Sequence, residues 1–304
     1  MASRTKVLVT GGTGAVGRQL CDFLDAENFE VSILSRSDHK HSKYKTYQWD
    51  HKFALIDKEA IKTADYIVHL SGAGIADKWW TQSRKKEILQ SRTLTTELLY
   101  RVLAEEDHHI KGVVSASAVG YYGQITSEKV FKEDDRPGDD FVATVCKAWE
   151  AKADKIQELG IRTVKLRLGI VLMKEGGALE KMARPFRWHL GAPLGSGNQK
   201  IPWIHYWDLH QIILRAITSQ DMSGVYNCCA PEVVSNQHFS EELAKVLGKS
   251  MWLPKVPAFV LQLMLGDRST LLTEGSGVSC DKILRTGFEF RYPFIKEALE
   301  DLLD

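Results

Sequence analysis

Two hydrophobic periods alternate along this chain, and the switches between them predict its elements. Val7-Leu8-Val9 is a short apolar run, residues 10–17 are rich in glycine, and Leu20, Phe23 and Leu24 then mark one stripe of a helix. Strand, glycine turn and helix therefore open the chain. Val31-Ser32-Ile33-Leu34, residues 44–49 and Tyr66-Ile67-Val68-His69-Leu70 read as further strands, followed by a long helix over residues 83–105 with Ile88, Leu94, Leu98, Leu99, Val102 and Leu103 apolar. Gly112-Val113-Val114-Ser115 reads as a strand, residues 144–159 as a helix, and residues 163–172 as a strand broken at Gly169. Such alternation predicts an α/β fold, a doubly wound parallel sheet of six strands with ligands in the crevice beyond their carboxyl ends.

Past Lys174 the texture changes. Gly176-Gly177, Gly191-Ala192-Pro193 and Gly195-Ser196-Gly197 punctuate a loop-rich stretch. A helix over residues 208–219, a strand at Val225-Tyr226-Asn227, a helix over 239–247 and an apolar helix ending near Leu265 follow. The expected division is a nucleotide-binding Rossmann domain over residues 1–174. Residues 175–304 would form substrate-side loops and a small C-terminal α+β cap, with elements returning to the first domain.

The bulk numbers narrow the partners. With 304 residues the chain can bury a full α/β core. A formal net charge of +1 with 26% charged residues gives no excess suited to nucleic acid or an anionic membrane. The first strand begins within about six residues of the start, leaving no room for a signal peptide, and no apolar run approaches a membrane span. A cytoplasmic protein is expected. Cys21, Cys146, Cys228, Cys229 and Cys280 are scattered without a C-x-x-C, which suits reduced, buried thiols. The histidines show no ligand spacing, so no metal is expected.

Each turn glycine has a physical reason. Gly11 and Gly12 let the chain leave the strand sharply, Gly14 lets a pyrophosphate approach the backbone, and Gly17 permits close helix-to-strand packing. Thr13, Ala15 and Val16 complete the segment whose N–H groups and helix dipole favour an anion. A triphosphate-binding loop is rejected because Arg18 and Gln19 stand where it needs Lys and Ser or Thr. At the end of the second strand, where an NAD enzyme carries an acid, stand Ser35 and Arg36. A hydroxyl beside a guanidinium suits the 2′-phosphate of NADP, with Lys40 and Lys43 nearby.

These residues resemble the extended, epimerase-type short-chain dehydrogenases, whose first turn reads T-G-x-x-G-x-x-G. His69-Leu70-Ser71-Gly72-Ala73, Ser115-Ala116-Ser117-Ala118 with Tyr121-Tyr122-Gly123, and Trp203-Ile204-His205-Tyr206-Trp207-Asp208-Leu209 match further stretches of that family. With Lys147-Ala148-Trp149-Glu150 and residues 286–293, the chain looks like its atypical YfcH-like subgroup nearly end to end. The resemblance implies NADP(H) bound by the glycine turn, by Leu70, Ser71 and Gly72, and by backbone groups of Ile170 and Val171. Arg92 occupies the place of the family's Asn in N-x-x-G-T and could reach phosphate or ribose, with Glu87 holding it or a ribose hydroxyl. An exposed salt-bridge face is the other reading of that pair.

The departure from the family concerns its Y-x-x-x-K signature, which reads Ala143-Thr144-Val145-Cys146-Lys147 here. Lys147 and Ser117 remain, and the resemblance implies that Ser117 orients the substrate oxygen and Lys147 lowers the phenol's pKa or serves only as a donor to the ribose, while Ala143 cannot move a proton. Tyr121 or Tyr122 could supply the phenol, or could simply pack. Arg184, Arg187, Trp188, His189, Trp203 and His205 could form a pocket for an anionic or nucleotide-bearing substrate, or could be structural. Two functions follow: an NADP(H)-dependent oxidoreductase or epimerase-like enzyme acting on a small carbonyl or hydroxyl substrate, and an NADPH-binding regulator without turnover. Monomer and homodimer both fit the long helix.

Overall fold

A computed structural model describes residues 4–37 and 43–303. Its centre is an eight-stranded sheet, two strands more than the periodicity predicts. In spatial order these are β12 (Gly224–Cys228), β8 (Arg162–Leu168), β6 (Gly112–Ala118), β5 (Tyr66–His69), β1 (Lys6–Thr10), β2 (Glu30–Ser35), β3 (Lys45–Asp50) and β4 (Leu55–Ile56). All neighbours are parallel except β3 and β4. The strand read at Val225-Tyr226-Asn227 thus returns to the main sheet, pairing Asn227 with Arg167. The short edge strand β4 was missed because two residues carry no period.

The alternation along each strand divides the core into two layers. On β1, Val7 and Val9 join Leu20, Phe23 and Leu24 of α1 (Ala15–Ala26) and Leu209, Ile212 and Ile213 of α6 (Tyr206–Thr218). Leu8 points the other way, toward Ile61 of α2 (Lys58–Thr63), Leu98, Leu99 and Val102 of α3 (Gln82–Glu105), and Ile156 of α4 (Phe141–Glu158). Side chains set the helix starts: Thr81 Oγ1 accepts from Arg84 N at 3.2 Å, and Asp140 Oδ1 accepts from Ala143 N at 2.9 Å.

Gly169 ends β8, and β9 (Ile170–Leu172) pairs instead with β11 (Trp203–His205). Beyond it lie α5 (Gly177–Arg187), α7 (Asn236–Val246) and α11 (Ile295–Leu303), sharing a core of Leu179, Trp203, Phe239, Leu243, Ile295 and Leu299. Of two further pairs, β10 (Lys200–Ile201) with β13 (Val234–Ser235) lies within this part, and β7 (Val130–Phe131) with β14 (Gly277–Val278) stitches it to the loops after β6. Between β13 and β14 run α8 (Ala258–Leu265) and α9 (Thr270–Thr273), and α10 (Asp281–Leu284) follows β14. Among the described residues no helix is long and apolar enough to cross a membrane.

Candidate cofactor and active site

The glycine turn lies at the carboxyl edge of the sheet centre, between the ends of β2 and β5. Gly11 has φ +73°, and a Cβ there would lie 3.0 Å from the Leu70 carbonyl carbon. Gly17 is more constrained still: its Cβ would lie 2.2 Å from Gly11 O, so the first turn of α1 packs directly on the loop. Gly14 is the N-cap of α1 and offers no side-chain cap, which leaves the first N–H groups of the helix open toward the crevice. Thr13, Gly14 and Ala15 are exposed, and Val16 is half-buried. A Cβ on Gly176 would come within 3.5 Å of Ala15 Cβ, so the start of α5 stands beside the same opening. These open donors fit an anionic pyrophosphate.

Ser35 is buried at the end of β2 and its Oγ accepts from Ser37 N at 3.3 Å, while Arg36 is exposed. Of the two lysines read as supporting a phosphate, Lys43 pairs with Asp25 at 3.0 Å and with Asp22 at 3.5 Å, which turns it away from that role. Lys40 lies outside the described residues.

Beyond β5, Leu70, Ser71 and Gly72 form a turn against α3. Arg92 presses on it: Nη1 donates to Ala73 O at 3.1 Å and Ile88 O at 3.0 Å, and the guanidinium stands 5.1 Å from the Trp149 ring centre. A Cβ on Gly72 would lie 3.0 Å from Arg92 Cζ. Burial, with repulsion from Arg84, lowers the Arg92 pKa. No carboxylate pairs with Arg92 among the described residues, so it is not part of a salt-bridge face. Glu87 does not hold Arg92; it pairs with Arg84 at 2.7 Å, and Arg84 also donates to Gly74 O. The spacing missed this because i,i+3 and i+5 partners compete on one helix, and the nearer one wins.

The carboxyl ends of β6, β8 and β12 hold a buried polar network that only fragments of the sequence suggested. Arg167 grips Glu150 of α4 with two bonds, Nε to Oε1 at 2.8 Å and Nη2 to Oε2 at 2.9 Å. Hydrogen bonds and charge from Glu150 raise the Arg167 pKa above its ordinary value against the opposing effect of burial, the largest single influence. Ser117, only 2% exposed, donates to Glu150 Oε1 at 2.6 Å. Its hydroxyl is thus committed to the ion pair, contrary to the expectation that it orients a substrate oxygen.

The two tyrosines separate sharply. Tyr122 is 4% exposed, donates to Asn227 Oδ1 at 2.6 Å and accepts from Arg167 Nη1 at 2.9 Å. Burial pushes its phenol above the ordinary range, the Arg167 bond notwithstanding. Tyr121 is half-buried, its ring 3.4 Å from Arg167 Cζ, and no hydrogen bond engages its hydroxyl among the described residues. On α4, Ala143 is fully buried and Lys147 exposed, with no ion-pair partner among the described residues.

Val171 lies half-buried in β9, paired with Ile204. The six basic and aromatic residues read as a pocket do not converge: Trp203 is in the C-terminal core and His205 caps α6 by accepting from Trp207 N at 3.2 Å, whereas Arg184, Arg187, Trp188 and His189 are exposed around the end of α5. Asp208, from the same segment, accepts from Arg291 N at 2.8 Å and Tyr292 N at 3.1 Å. That segment is therefore a joint holding the C-terminal cap. Among the described residues no group of three or more His, Cys, Asp or Glu could hold a metal ion.

Sheet order, glycine turn and crevice define an NAD(P)-binding Rossmann fold of the extended short-chain dehydrogenase type. The chain belongs to the NAD dependent epimerase/dehydratase family, whose model matches residues 7–229, and residues 256–302 match a domain of unknown function, DUF1731. It is 37% identical over 309 residues to the chloroplastic epimerase family protein SDR39U1 homolog of Arabidopsis thaliana, covering 99% of this chain and 87% of that one. With epimerase family protein YfhF of Bacillus subtilis it shares 35% identity, covering 98% of this chain and 97% of the other. The crystal structure of human epimerase family protein SDR39U1 with NADPH superposes with TM-score 0.88 at 34% identity, covering 98% of this chain and 99% of that one.

Proposed function

We propose that the protein binds NADP(H) and is an oxidoreductase or epimerase-like enzyme acting on a small carbonyl or hydroxyl compound. The observation that carries this reading is the uncapped start of α1 behind the Gly11 turn, with the unpaired cation Arg92 on the far side of the β5 turn. The NADPH in the similar human structure supports it. N–H groups of residues 15–17 would take the pyrophosphate, Arg36 with Ser35 the 2′-phosphate, and Arg92 a phosphate or ribose oxygen nearer the nicotinamide. When bound, the cofactor supplies a hydride donor or acceptor.

The chain's own part is then to hold the substrate and move a proton. Tyr121 is the phenol available for it, because Tyr122 is saturated and Ala143 has no proton to give. Lys147, exposed and unpaired, is placed to donate to a ribose hydroxyl. Ser117 acts by holding Glu150, and through it Arg167, beneath Tyr121. A second reading, an NADPH-binding regulator without turnover, is favoured by the burial of Ala143 where the family's catalytic tyrosine stands.

Titration of the protein with NADPH and NADH, followed by nicotinamide fluorescence, tests cofactor choice. NADPH is expected to bind more tightly, and Arg36→Ala to weaken it by about tenfold or more while sparing NADH. Equal binding of both cofactors would overturn the NADP assignment. Turnover of bound NADPH against a panel of aldehydes, ketones and nucleotide sugars separates enzyme from regulator: tight binding without oxidation across the panel supports the latter.

A further inference from the structure

The turn after β3 places a histidine at the same carboxyl edge of the sheet as Arg36. β2 and β3 run parallel, with Ser35 level with Gln48, so both chains leave the sheet at its carboxyl edge as neighbours. β3 ends at Asp50 and doubles back into β4, which pairs Asp50 with Leu55. The four residues between form a tight hairpin, pinned by Lys52 N donating to Asp50 Oδ1 at 2.8 Å and by Ala54 at φ +52°. His51 is the first of the four. It is half-buried, and among the described residues its imidazole makes no hydrogen bond.

Among the described residues the charges that act on it are Asp50 and Lys52 from its own turn and Arg36 from the end of β2. Glu87 of α3 is paired with Arg84 and feels the charge of Lys52 only weakly. Burial first, then Arg36 and Lys52, hold the imidazole below its ordinary pKa of 6.5 in spite of Asp50. His51 is therefore mostly neutral at pH 7, and Arg36, where the neighbouring strand leaves the same edge, has no ion-pair partner among the described residues.

We propose that His51 is a further specificity-determining residue, binding the adenosine 2′-phosphate together with Arg36 and taking up a proton as that phosphate seats. The proposal rests on the NADP(H) reading above and adds to it a pH-dependent preference for NADP(H) over NAD(H). A phosphate monoester carries nearly two negative charges at neutral pH, and an imidazolium donates to it a stronger bond than neutral imidazole does. Because the phosphate favours protonated His51, protonation must by reciprocity favour the phosphate. NAD(H) has no 2′-phosphate and lacks this coupling. The gain flattens toward about pH 6, where the phosphate's own second proton returns.

Calorimetry on the whole protein tests this with NADPH and NADH as the probes. Binding heats at pH 7 in two buffers of different ionisation enthalpy give the protons exchanged, and affinities at pH 6.5 and pH 8 give the slope. NADPH is expected to take up protons and NADH to take up none, with the NADPH:NADH affinity ratio severalfold higher at the lower pH. In His51→Gln the uptake and slope disappear, NADPH affinity at pH 6.5 falls by about tenfold, as the loss of one charge-assisted bond implies, and NADH affinity is unchanged. His51→Asn should behave alike. Proton uptake or pH slope that survives in both variants overturns the role of His51 while leaving the NADP(H) reading standing. A wild-type protein that binds NADPH no better than NADH overturns both.

Discussion

Arg167 sits against the ring face of Tyr121, its guanidinium carbon 3.4 Å from the ring centre, while its Nη1 donates to the hydroxyl of the next residue, Tyr122. One cation thus fixes two adjacent phenols in opposite ways. Tyr122 is sealed into the core by its hydroxyl, whereas Tyr121 is held by its face with the hydroxyl left over. Tyr122→Phe is expected to destabilise the fold by roughly 1–3 kcal/mol, since Asn227 Oδ1 loses a buried donor and Arg167 an acceptor. Tyr121→Phe should leave the unfolding midpoint almost unchanged and abolish any turnover found in the carbonyl panel. Urea unfolding of both variants beside the NADPH assay checks this, and the reverse pattern would exchange their roles.

Glu150 meets Arg167 with both carboxylate oxygens in a site where each side chain is nearly closed to water. Deleting one partner of such a pair leaves a buried charge. Glu150→Ala is accordingly expected to cost about 3–5 kcal/mol of stability, against roughly 1.5–3 kcal/mol for Ser117→Ala, which removes one bond to a carboxylate whose ion pair stays intact. Similar losses for the two variants, measured by denaturant midpoints, would mean that the ion pair contributes no more than the serine bond.

How much of this was legible in the chain follows from where the signals are local. The glycine turn, the alternation that gives β1, β2, β5 and β6, and the helix stripes at Leu20-Phe23-Leu24 and Leu98-Leu99-Val102 each sit within a few residues, so the sequence alone places them. β4 has only two residues and no period to read. The buried network was hidden because its members come from positions 117, 122, 150, 167 and 227, and no spacing joins them. A glutamate on the apolar side of α4 and an arginine at an inward position of β8 are visible afterwards as the two charges that break the pattern of their elements. Likewise His205 and Asp208 stood out as part of a family-like segment; the His205 cap is local, but the joint made by Asp208 depends on Arg291 and Tyr292, far along the chain.

Three histidines enclosed in the core are held neutral by burial, and this contributes to how stability depends on pH. His69 lies between Thr10 Oγ1 at 2.7 Å and Thr96 Oγ1 at 2.9 Å with its pKa down to about 3; His205 and His210 are lowered to about 4, the Asp301 carboxylate failing to offset burial at His205. In the unfolded chain each would titrate near about 6.5. Above that value both states are neutral and the histidines favour neither; below it the unfolded state binds the extra protons, so stability falls as pH drops from about 6.5 toward about 4. Each histidine is expected to steepen that fall by up to roughly 1.4 kcal/mol per pH unit. Denaturant midpoints across this range in wild type and in His69→Gln check the claim. An unchanged slope in the variant would show that His69 already takes up its proton in the folded protein.

Asp208 joins the start of α6 to the segment that leads into α11 by accepting from Arg291 N and Tyr292 N, from a fully buried position. Burial raises its pKa while those two N–H groups oppose the shift. Asp208→Ala removes both acceptors at once and leaves the donors of the 291–292 chain unpaired, whereas Asp208→Asn keeps one acceptor oxygen. The helix α11 that follows carries Ile295, Leu299 and Leu302 in the cap core, so the first effect of losing the joint is expected at this segment and only afterwards at the main sheet. Limited trypsin digestion should therefore cut Asp208→Ala faster after Arg285 or Arg291 than wild type, with Asp208→Asn intermediate, and hydrogen exchange should rise in α11 before it rises in β1. Uniform acceleration across the chain would mean that the joint supports the whole fold and not the cap alone.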